Sequence, residues 1–233
     1  SLDLSGCERL VRLSDDIGNL NISSINFSGC TALKTLPESF GKLSKLTTLN
    51  FSGCTALETL PESIGEMSNV TEMNLSNCKL NSLPVSIGKM KLKKLTMTKT
   101  ALTTLPAVLG DITSLEELDI TGTSGSTGMF GVAGEAFGRM TGLKKLSASD
   151  NSFTGDLAWL QNLTKLTDLR MDNNQLSGTI NWNHFGMELT NIYLTNNDLD
   201  GTLDGISRLT KLRYLYLNQN QLSGTLPAEL GNC

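Results

Sequence analysis

Hydrophobic residues recur along the chain in a fixed frame of short units. Leucine or a similar residue occupies the first, fourth and sixth positions, and a small polar or thiol residue occupies the ninth, as in Leu46, Leu49, Phe51 and Cys54. The frame can be placed ten times, nearly always 22–24 residues apart. Because successive side chains of a strand point to opposite faces, this alternation predicts one short strand with one buried face in every unit.

A single strand of this kind cannot bury its own leucines. Neighbouring units must therefore stack their strands side by side, as a parallel sheet over a continuous core. The composition agrees with an aliphatic core, since 39% of the residues are hydrophobic but only 5% are aromatic. All prolines follow a leucine at one repeat offset, where a fixed φ suits the start of a short helical turn on the convex side; they are Pro37, Pro61, Pro84, Pro106 and Pro227.

The units are of two types. Residues 28–43 read SGCTALKTLPESFGKL and residues 52–67 read SGCTALETLPESIGEM, whereas residues 173–180 read NNQLSGTI and residues 196–203 read NNDLDGTL. The first type resembles the repeats of the cytosolic nucleotide-binding leucine-rich-repeat immune receptors of plants. The second type resembles the repeats of plant receptor-like kinases and receptor-like proteins, in which the LxGxL segment usually adds a second short strand.

The resemblance implies an α/β solenoid. We expect a right-handed leucine-rich-repeat superhelix with a parallel concave sheet and short 3-10, α or second-strand segments on the convex side. We treat residues 1–233 as a single domain of about ten units. The chain opens inside a strand and shows no capping unit at either end, so we expect a fragment of a larger protein, or ends that are trimmed or disordered. The alternative is end-to-end pairing through the bare edges. The resemblance further implies sensing of a ligand or effector within a larger receptor.

One unit, spanning residues 123–151, is longer than the others. Its 28-residue step contains a Gly/Ser-rich stretch that ends in Met129 and Phe130. We expect a loop there that is either a plain insertion or an additional contact element. The stretch lacks the Gly-Lys-Ser/Thr ending of a phosphate-binding loop, so it does not indicate a nucleotide site.

Four cysteines occupy the same repeat position in consecutive units: Cys7, Cys30, Cys54 and Cys78. Stacked strands lie about 4.8 Å apart, and side chains that point in parallel do not present the Cβ geometry of a disulfide. Zinc requires four converging ligands, which a linear ladder does not offer. The pattern predicts buried free thiols, which favours a reducing, cytoplasmic compartment, with the extracellular space or cell surface as the alternative.

Charge and composition indicate a binding protein rather than an enzyme. The net charge of -4 gives no electrostatic footprint for nucleic acid, and no apolar run approaches the length of a membrane span. Acids are scattered along an open arc, and no nucleophile, metal-ligand or cofactor constellation is visible. We therefore expect a non-enzymatic protein with no cofactor, no metal site, no nucleic-acid partner and no membrane insertion.

The frame also predicts which side chains point out of the concave face. The central outward column runs Asn26, Asn50, Asn74, Thr96, Asp119, Ser147, Arg170, Tyr193, Tyr216. Its last part gathers the side chains that are enriched at binding hot spots, and Arg213 and Tyr214 join it from adjacent columns. Exposed tyrosines also simply suit strands, and a further unit would cover them.

We predict a protein or peptide partner on the concave face, at Arg170, Tyr193, Arg213, Tyr214 and Tyr216. Two other functions remain open at this point. One is a structural or adhesive cell-surface repeat protein, and the other is a regulatory module of a multidomain enzyme.

Overall fold

The computed structural model describes residues 1–122 and 130–228, and at Phe130 the backbone alone. The chain forms two compact units, Ser1–Leu115 and Glu116–Cys233, which we call unit 1 and unit 2. The prediction that residues 1–233 form one domain stays a prediction. The Gly/Ser loop with Met129 lies outside the described residues.

Unit 1 contains a parallel sheet built from one short strand per repeat. In spatial order, its strands β1 to β5 are Leu2–Asp3, Ile25–Asn26, Thr48–Asn50, Glu72–Asn74 and Lys94–Thr96. A 3-10 helix follows each strand on the other side of the core: Asp15–Asn19, Glu38–Lys42, Glu62–Glu66, Val85–Lys89 and Ala107–Asp111. Proline immediately precedes the last four of these helices, with φ between -62° and -73°, which confirms the expected role of proline.

Unit 2 contains two parallel sheets. Its first sheet consists of β6, β8, β10, β12 and β14, at Glu117–Asp119, Lys145–Ser147, Asp168–Arg170, Asn191–Tyr193 and Tyr214–Tyr216. Its second sheet consists of β7, β9, β11, β13 and β15, at Phe130–Val132, Ser152–Gly155, Gln175–Thr179, Asp198–Gly201 and Gln221–Leu222. The second strand implied by the LxGxL segments is therefore present.

The helices of unit 2 are short. The helix α1 spans Ala133–Phe137, and 3-10 helices span Ala158–Asn162, Trp182–His184 and Ile206–Arg208. Each unit thus has the strand, core and convex layer of a leucine-rich-repeat solenoid, as the sequence predicted. Among the residues described, no helix has the length and apolar character needed to cross a membrane.

An asparagine ladder joins the two sheets of unit 2. The side-chain Nδ2 of Asn174 donates to the carbonyl oxygens of Met171 at 3.1 Å and of Ala148, one repeat earlier, at 3.0 Å. Its Oδ1 accepts the backbone N–H of Phe153, in the second sheet, at 3.0 Å. Asn197 makes the same set of bonds one repeat later. Each asparagine therefore satisfies buried backbone groups in both layers.

Cysteine takes this position in the first four repeats of unit 1, with Thr100 in the fifth, and it makes a smaller set of bonds. The Sγ of Cys54 donates to the carbonyl oxygen of Phe27 at 3.2 Å, and the Sγ of Cys78 donates to that of Phe51 at 3.1 Å. A thiol is a weak acceptor and cannot replace the asparagine Oδ1 as the partner of a backbone N–H. The asparagine-bearing repeats carry β9, β11, β13 and β15 of the second sheet, whereas β7 lies in the long unit, whose corresponding residue is Thr123.

The thiols of Cys30, Cys54 and Cys78 are free and buried, as predicted. Burial raises the pKa of Cys54 to about 11 and that of Cys78 to about 12. Cys7 corrects the prediction, because it is free but exposed. It follows β1, the outermost strand described in unit 1, so the described residues cover it from one side only. Cys233 lies outside the described residues.

Thiol labelling tests this burial. In a Cys233→Ser background we expect Cys7 to react rapidly with a thiol-specific reagent, while Cys30, Cys54 and Cys78 stay protected until the protein is unfolded. The reason is that the thiolate is the reactive form, and burial suppresses it. The measurement is the count of reactive thiols with and without guanidinium chloride. A Cys7→Ser control should remove the rapid phase, and more than one rapid thiol in folded protein would contradict the burial.

Candidate functional site

Four of the five predicted partner-binding residues lie on strands of the first sheet of unit 2, and Arg213 lies directly before β14. We call this set the tyrosine surface: Arg170, Tyr193, Arg213, Tyr214 and Tyr216. The strand register places Arg170 beside Tyr193, and Tyr193 beside Tyr216. The guanidinium carbon of Arg170 lies 4.7 Å from the centre of the Tyr193 ring. The rings of Tyr193 and Tyr216 are stacked, with centroids 4.9 Å apart and planes 11° from parallel. The predicted column is therefore a continuous stack of one guanidinium and two phenol rings.

Asp168 holds this stack in place from the adjacent column. Its Oδ1 accepts a hydrogen bond from Nε of Arg170 at 2.8 Å, and its Oδ2 accepts one from Nδ2 of Asn191. The Asp168 side chain is only 14% exposed, whereas that of Arg170 is 48% exposed. The hydrogen bond that Arg170 donates to Asp168 raises the pKa of Arg170 and favours its charged form. A half-buried carboxylate thus orients an exposed cation.

The remaining members of the tyrosine surface face solvent. Tyr214 is 52% exposed and Tyr216 is 46% exposed, which are high values for side chains of this size. Arg213 is also exposed, and Tyr193 is half-buried because its neighbours cover its ring. Tyr214 continues the column of Asp168 and Asn191. All five residues are therefore side by side near one end of the first sheet.

The sheet beside the tyrosine surface carries ordinary ion pairs. Nζ of Lys145 lies 2.8 Å from a carboxylate oxygen of Glu117, and Nζ of Lys144 lies 2.7 Å from one of Glu116. These pairs are largely exposed, and each contributes about 0–1 kcal/mol. They form part of the scaffold and give no reason to place a site there.

The sheet of unit 1 carries a groove of about 370 Å³. Its polar lining is Thr48, Asn50, Glu72, Asn74, Lys94 and Thr96. It contains no aromatic side chain, in contrast to the tyrosine surface. In residues 1–122 and 130–228, no group of three or more His, Cys, Asp or Glu side chains could hold a metal ion.

The predicted loop contact is not described. Met129 lies outside the described residues, and only the backbone of Phe130 is given, in β7 beside β9. Sequence reasoning missed the roles of Asp168 and Asn191. The role of Asp168 could have been predicted, since Asp168 and Arg170 are two residues apart on one strand and so their side chains point to the same face. The frame also aligns Asn191 with Asp168, but the hydrogen bond between them depends on side-chain rotamers.

Comparison with known families agrees with the repeat pattern. Residues 54–199 match the family described as leucine-rich repeat region, and residues 211–233 match the family described as leucine rich repeat. The first match covers well over half of the chain. No curated protein matches the chain in sequence.

Solved structures with the same fold include a plant receptor kinase and a bacterial leucine-rich-repeat protein. The ectodomain of the Arabidopsis receptor kinase HAESA, in complex with a peptide hormone, has a TM-score of 0.68 and 23% identity, covering 99% of this chain and 46% of its own. A TDR receptor has a TM-score of 0.71 and 24% identity, covering 94% and 43%. A leucine-rich-repeat protein of Leptospira interrogans has a TM-score of 0.66 and 24% identity, covering 99% and 69%. The chain thus spans less than half of either receptor structure.

Proposed function

The chain belongs to the leucine-rich-repeat proteins, and we propose that it is a non-enzymatic scaffold that binds a protein or peptide partner through the tyrosine surface. Leucine-rich repeats act in general as binding scaffolds, and a stacked solenoid offers an extended face rather than an enclosed pocket. The observation that carries the proposal is the Arg170–Tyr193–Tyr216 stack on the exposed face of a sheet.

The chemistry of the tyrosine surface supports a macromolecular partner. Tyrosine and arginine are enriched at the few interface positions that carry most of the binding energy. Tyrosine also offers a large contact area for little conformational entropy. The hydrogen bond that Arg170 donates to Asp168 restrains the Arg170 side chain before any partner arrives, which lowers the entropy lost on binding.

The structural comparisons support a peptide as one form of the partner. HAESA was solved with a peptide hormone ligand, and the plant peptide hormone receptor RGFR1 was solved with RGF2. RGFR1 covers 99% of this chain with a TM-score of 0.52 and 20% identity. These similarities concern the fold, so the proposal for this chain rests on its own side chains. The proposal includes sensing of such a ligand as part of a larger receptor.

Truncation of the tyrosines tests the proposal. Binders are first selected on the immobilised full chain from a phage-displayed library of random peptides. We expect the triple variant Tyr193→Ala, Tyr214→Ala, Tyr216→Ala to weaken the selected binders at least about 100-fold, because hot-spot truncations each cost about 2 kcal/mol or more. The measurement is Kd by calorimetry, with circular dichroism to confirm that the variant is folded.

The matched control removes exposed apolar side chains elsewhere. Val85 is 76% exposed and Met187 is 55% exposed, and neither lies on the tyrosine surface. Val85→Ala with Met187→Ala should leave the affinity unchanged. A folded triple variant that binds as tightly as the wild-type chain would show that the site is elsewhere.

A further inference from the structure

We propose that the ligand of the tyrosine surface is an acidic peptide segment, whose carboxylates are bound by phenol hydroxyls and guanidinium groups rather than by ring faces. This inference rests on the proposed function and specifies the chemistry of the partner. It depends on three features: the covered faces of the Tyr193 ring, the hydrogen bonds that Asp168 and Asp172 accept, and the exposed donors of Arg213, Tyr214 and Tyr216.

The faces of the central ring are not available to a ligand. Tyr193 lies between two neighbours, with the Arg170 guanidinium carbon 4.7 Å from its centre on one strand and the Tyr216 ring 4.9 Å away on the other. What Tyr193 presents to solvent is its ring edge and its hydroxyl. The edge of an aromatic ring carries partial positive charge, and the hydroxyl donates a hydrogen bond. Both features favour an anionic or strongly accepting group.

The carboxylates nearest the stack are already engaged by the protein. Asp168 accepts bonds from Arg170 and Asn191. Asp172 accepts a bond from the backbone N–H of Thr195 at 2.9 Å, and another from the hydroxyl of Ser149 at 3.3 Å. The Arg170 guanidinium offsets the charge of Asp168, whereas the neutral donors to Asp172 leave its negative charge in place. A ligand carboxylate is therefore expected closer to Arg213, Tyr214 and Tyr216 than to Arg170.

The last two strands of the first sheet supply donors without acids. Residues 189–197 and 210–220, which contain β12 and β14, include no Asp or Glu. Their exposed groups include the guanidinium of Arg213 and the hydroxyls of Tyr214 and Tyr216. Hydrogen bonds from such donors to an ionised carboxylate are about twice as strong as bonds to a neutral acceptor. Charge complementarity therefore selects a ligand that brings its own carboxylates.

A nucleic acid would also bring anionic acceptors, but it fits the geometry less well. Proteins that bind single strands gain much of their affinity by stacking bases on open aromatic faces. Here both faces of Tyr193 are covered and one face of Tyr216 is stacked on Tyr193, so only Tyr214 and the other face of Tyr216 could stack with a base. We therefore assign the surface to peptide carboxylates and treat RNA as an outcome of the test.

The test uses the same random-peptide library on the immobilised full chain. We expect the enriched peptides to share Asp or Glu residues. Replacing those acids by Asn or Gln in a synthetic copy should weaken binding at least about 10-fold. The affinity should also fall as salt is raised from 0.05 to about 0.3 M, because exposed charge pairs are screened.

Charge reversal on the protein provides the matched pair of variants. Arg213→Glu should lower the affinity for the acidic peptide at least about 10-fold. Lys165→Glu makes the same change in net charge at an exposed residue outside the tyrosine surface, and it should leave the affinity within about 2-fold.

The possible results separate this inference from the proposed function. If the selected peptides are neutral or basic and the triple tyrosine variant no longer binds them, the proposal of an acidic ligand is wrong but the proposed binding site is correct. If the peptides bind the triple variant with unchanged affinity, the proposed binding site is wrong. If the library yields no binder, both the proposed binding site and the acidic ligand are wrong. A labelled single-stranded RNA that binds more tightly than the acidic peptide, and displaces it, would replace the peptide with a nucleic acid.

Discussion

Replacing Asn174 by alanine is expected to lower the free energy of unfolding by about 3–5 kcal/mol, since a buried polar group left without its partner costs about 1–3 kcal/mol. The substitution removes donors to the carbonyl oxygens of Ala148 and Met171, and it removes the acceptor for the buried N–H of Phe153. The two sheets of unit 2 thus lose the hydrogen bonds through which Asn174 joins them. The measurement is urea unfolding followed by circular dichroism.

Two further variants show which bonds matter. Asn174→Cys restores a donor to Ala148, as the cysteines do in unit 1, but it leaves the Phe153 N–H without a partner, so its cost should be intermediate. Asn220→Ala removes equivalent bonds at a half-buried position, where water can replace them, so it should cost about 1–2 kcal/mol. An Asn174→Ala protein that loses less than 1 kcal/mol would show that the ladder is not what joins the sheets.

Replacing Gly41 by alanine is expected to destabilise the chain by about 3 kcal/mol, at the upper end of the usual cost of overpacking. The 3-10 helices of unit 1 approach one another so closely that a Cβ on Gly41 would lie 2.6 Å from the Cβ of Ser63 and would overlap its carbonyl oxygen. That oxygen belongs to the backbone, so it cannot move without shifting the next helix. The same contact recurs between Gly65 and Ser86.

The control for Gly41 lies in α1. A Cβ on Gly134 would meet its nearest neighbour, the Cβ of Trp159, at 3.7 Å, which is ordinary contact. Gly134→Ala should therefore be neutral or stabilising by up to about 1 kcal/mol, because alanine favours a helix more than glycine does. The measurement is the thermal midpoint of each variant. Equal midpoints for Gly41→Ala and the wild-type chain would contradict the close approach.

The fold was predictable because one short pattern of hydrophobic positions recurs in about ten consecutive units of the sequence. The period-two alternation within each frame decides which side chains face the core, and the register between frames then aligns residues of equal offset. Arg170, Tyr193 and Tyr216 share an offset, so their column follows from the sequence, and the structure places them side by side. The hydrophobic pattern thus predicts the outward positions as well as the core.

What the sequence did not predict depends on contacts between side chains. The frame puts Asp168 and Asn191 in one column. The hydrogen bonds that Arg170 and Asn191 donate to Asp168, however, depend on side-chain rotamers. The exposure of Cys7 depends on what covers the first strand rather than on its offset. The strand at Phe130–Val132 and the helix α1 lie in the long unit, where the spacing departs from the frame and no longer predicts an element.

A structure of the full chain bound to a peptide selected from the library tests the central claim most directly. We predict that the peptide crosses the first sheet of unit 2, that it contacts Tyr193, Tyr214 and Tyr216, and that a carboxylate of the peptide bonds to Arg213 or to a tyrosine hydroxyl. A peptide seated instead in the groove of unit 1, against Asn50 and Asn74, or on the convex side of either unit, would contradict it.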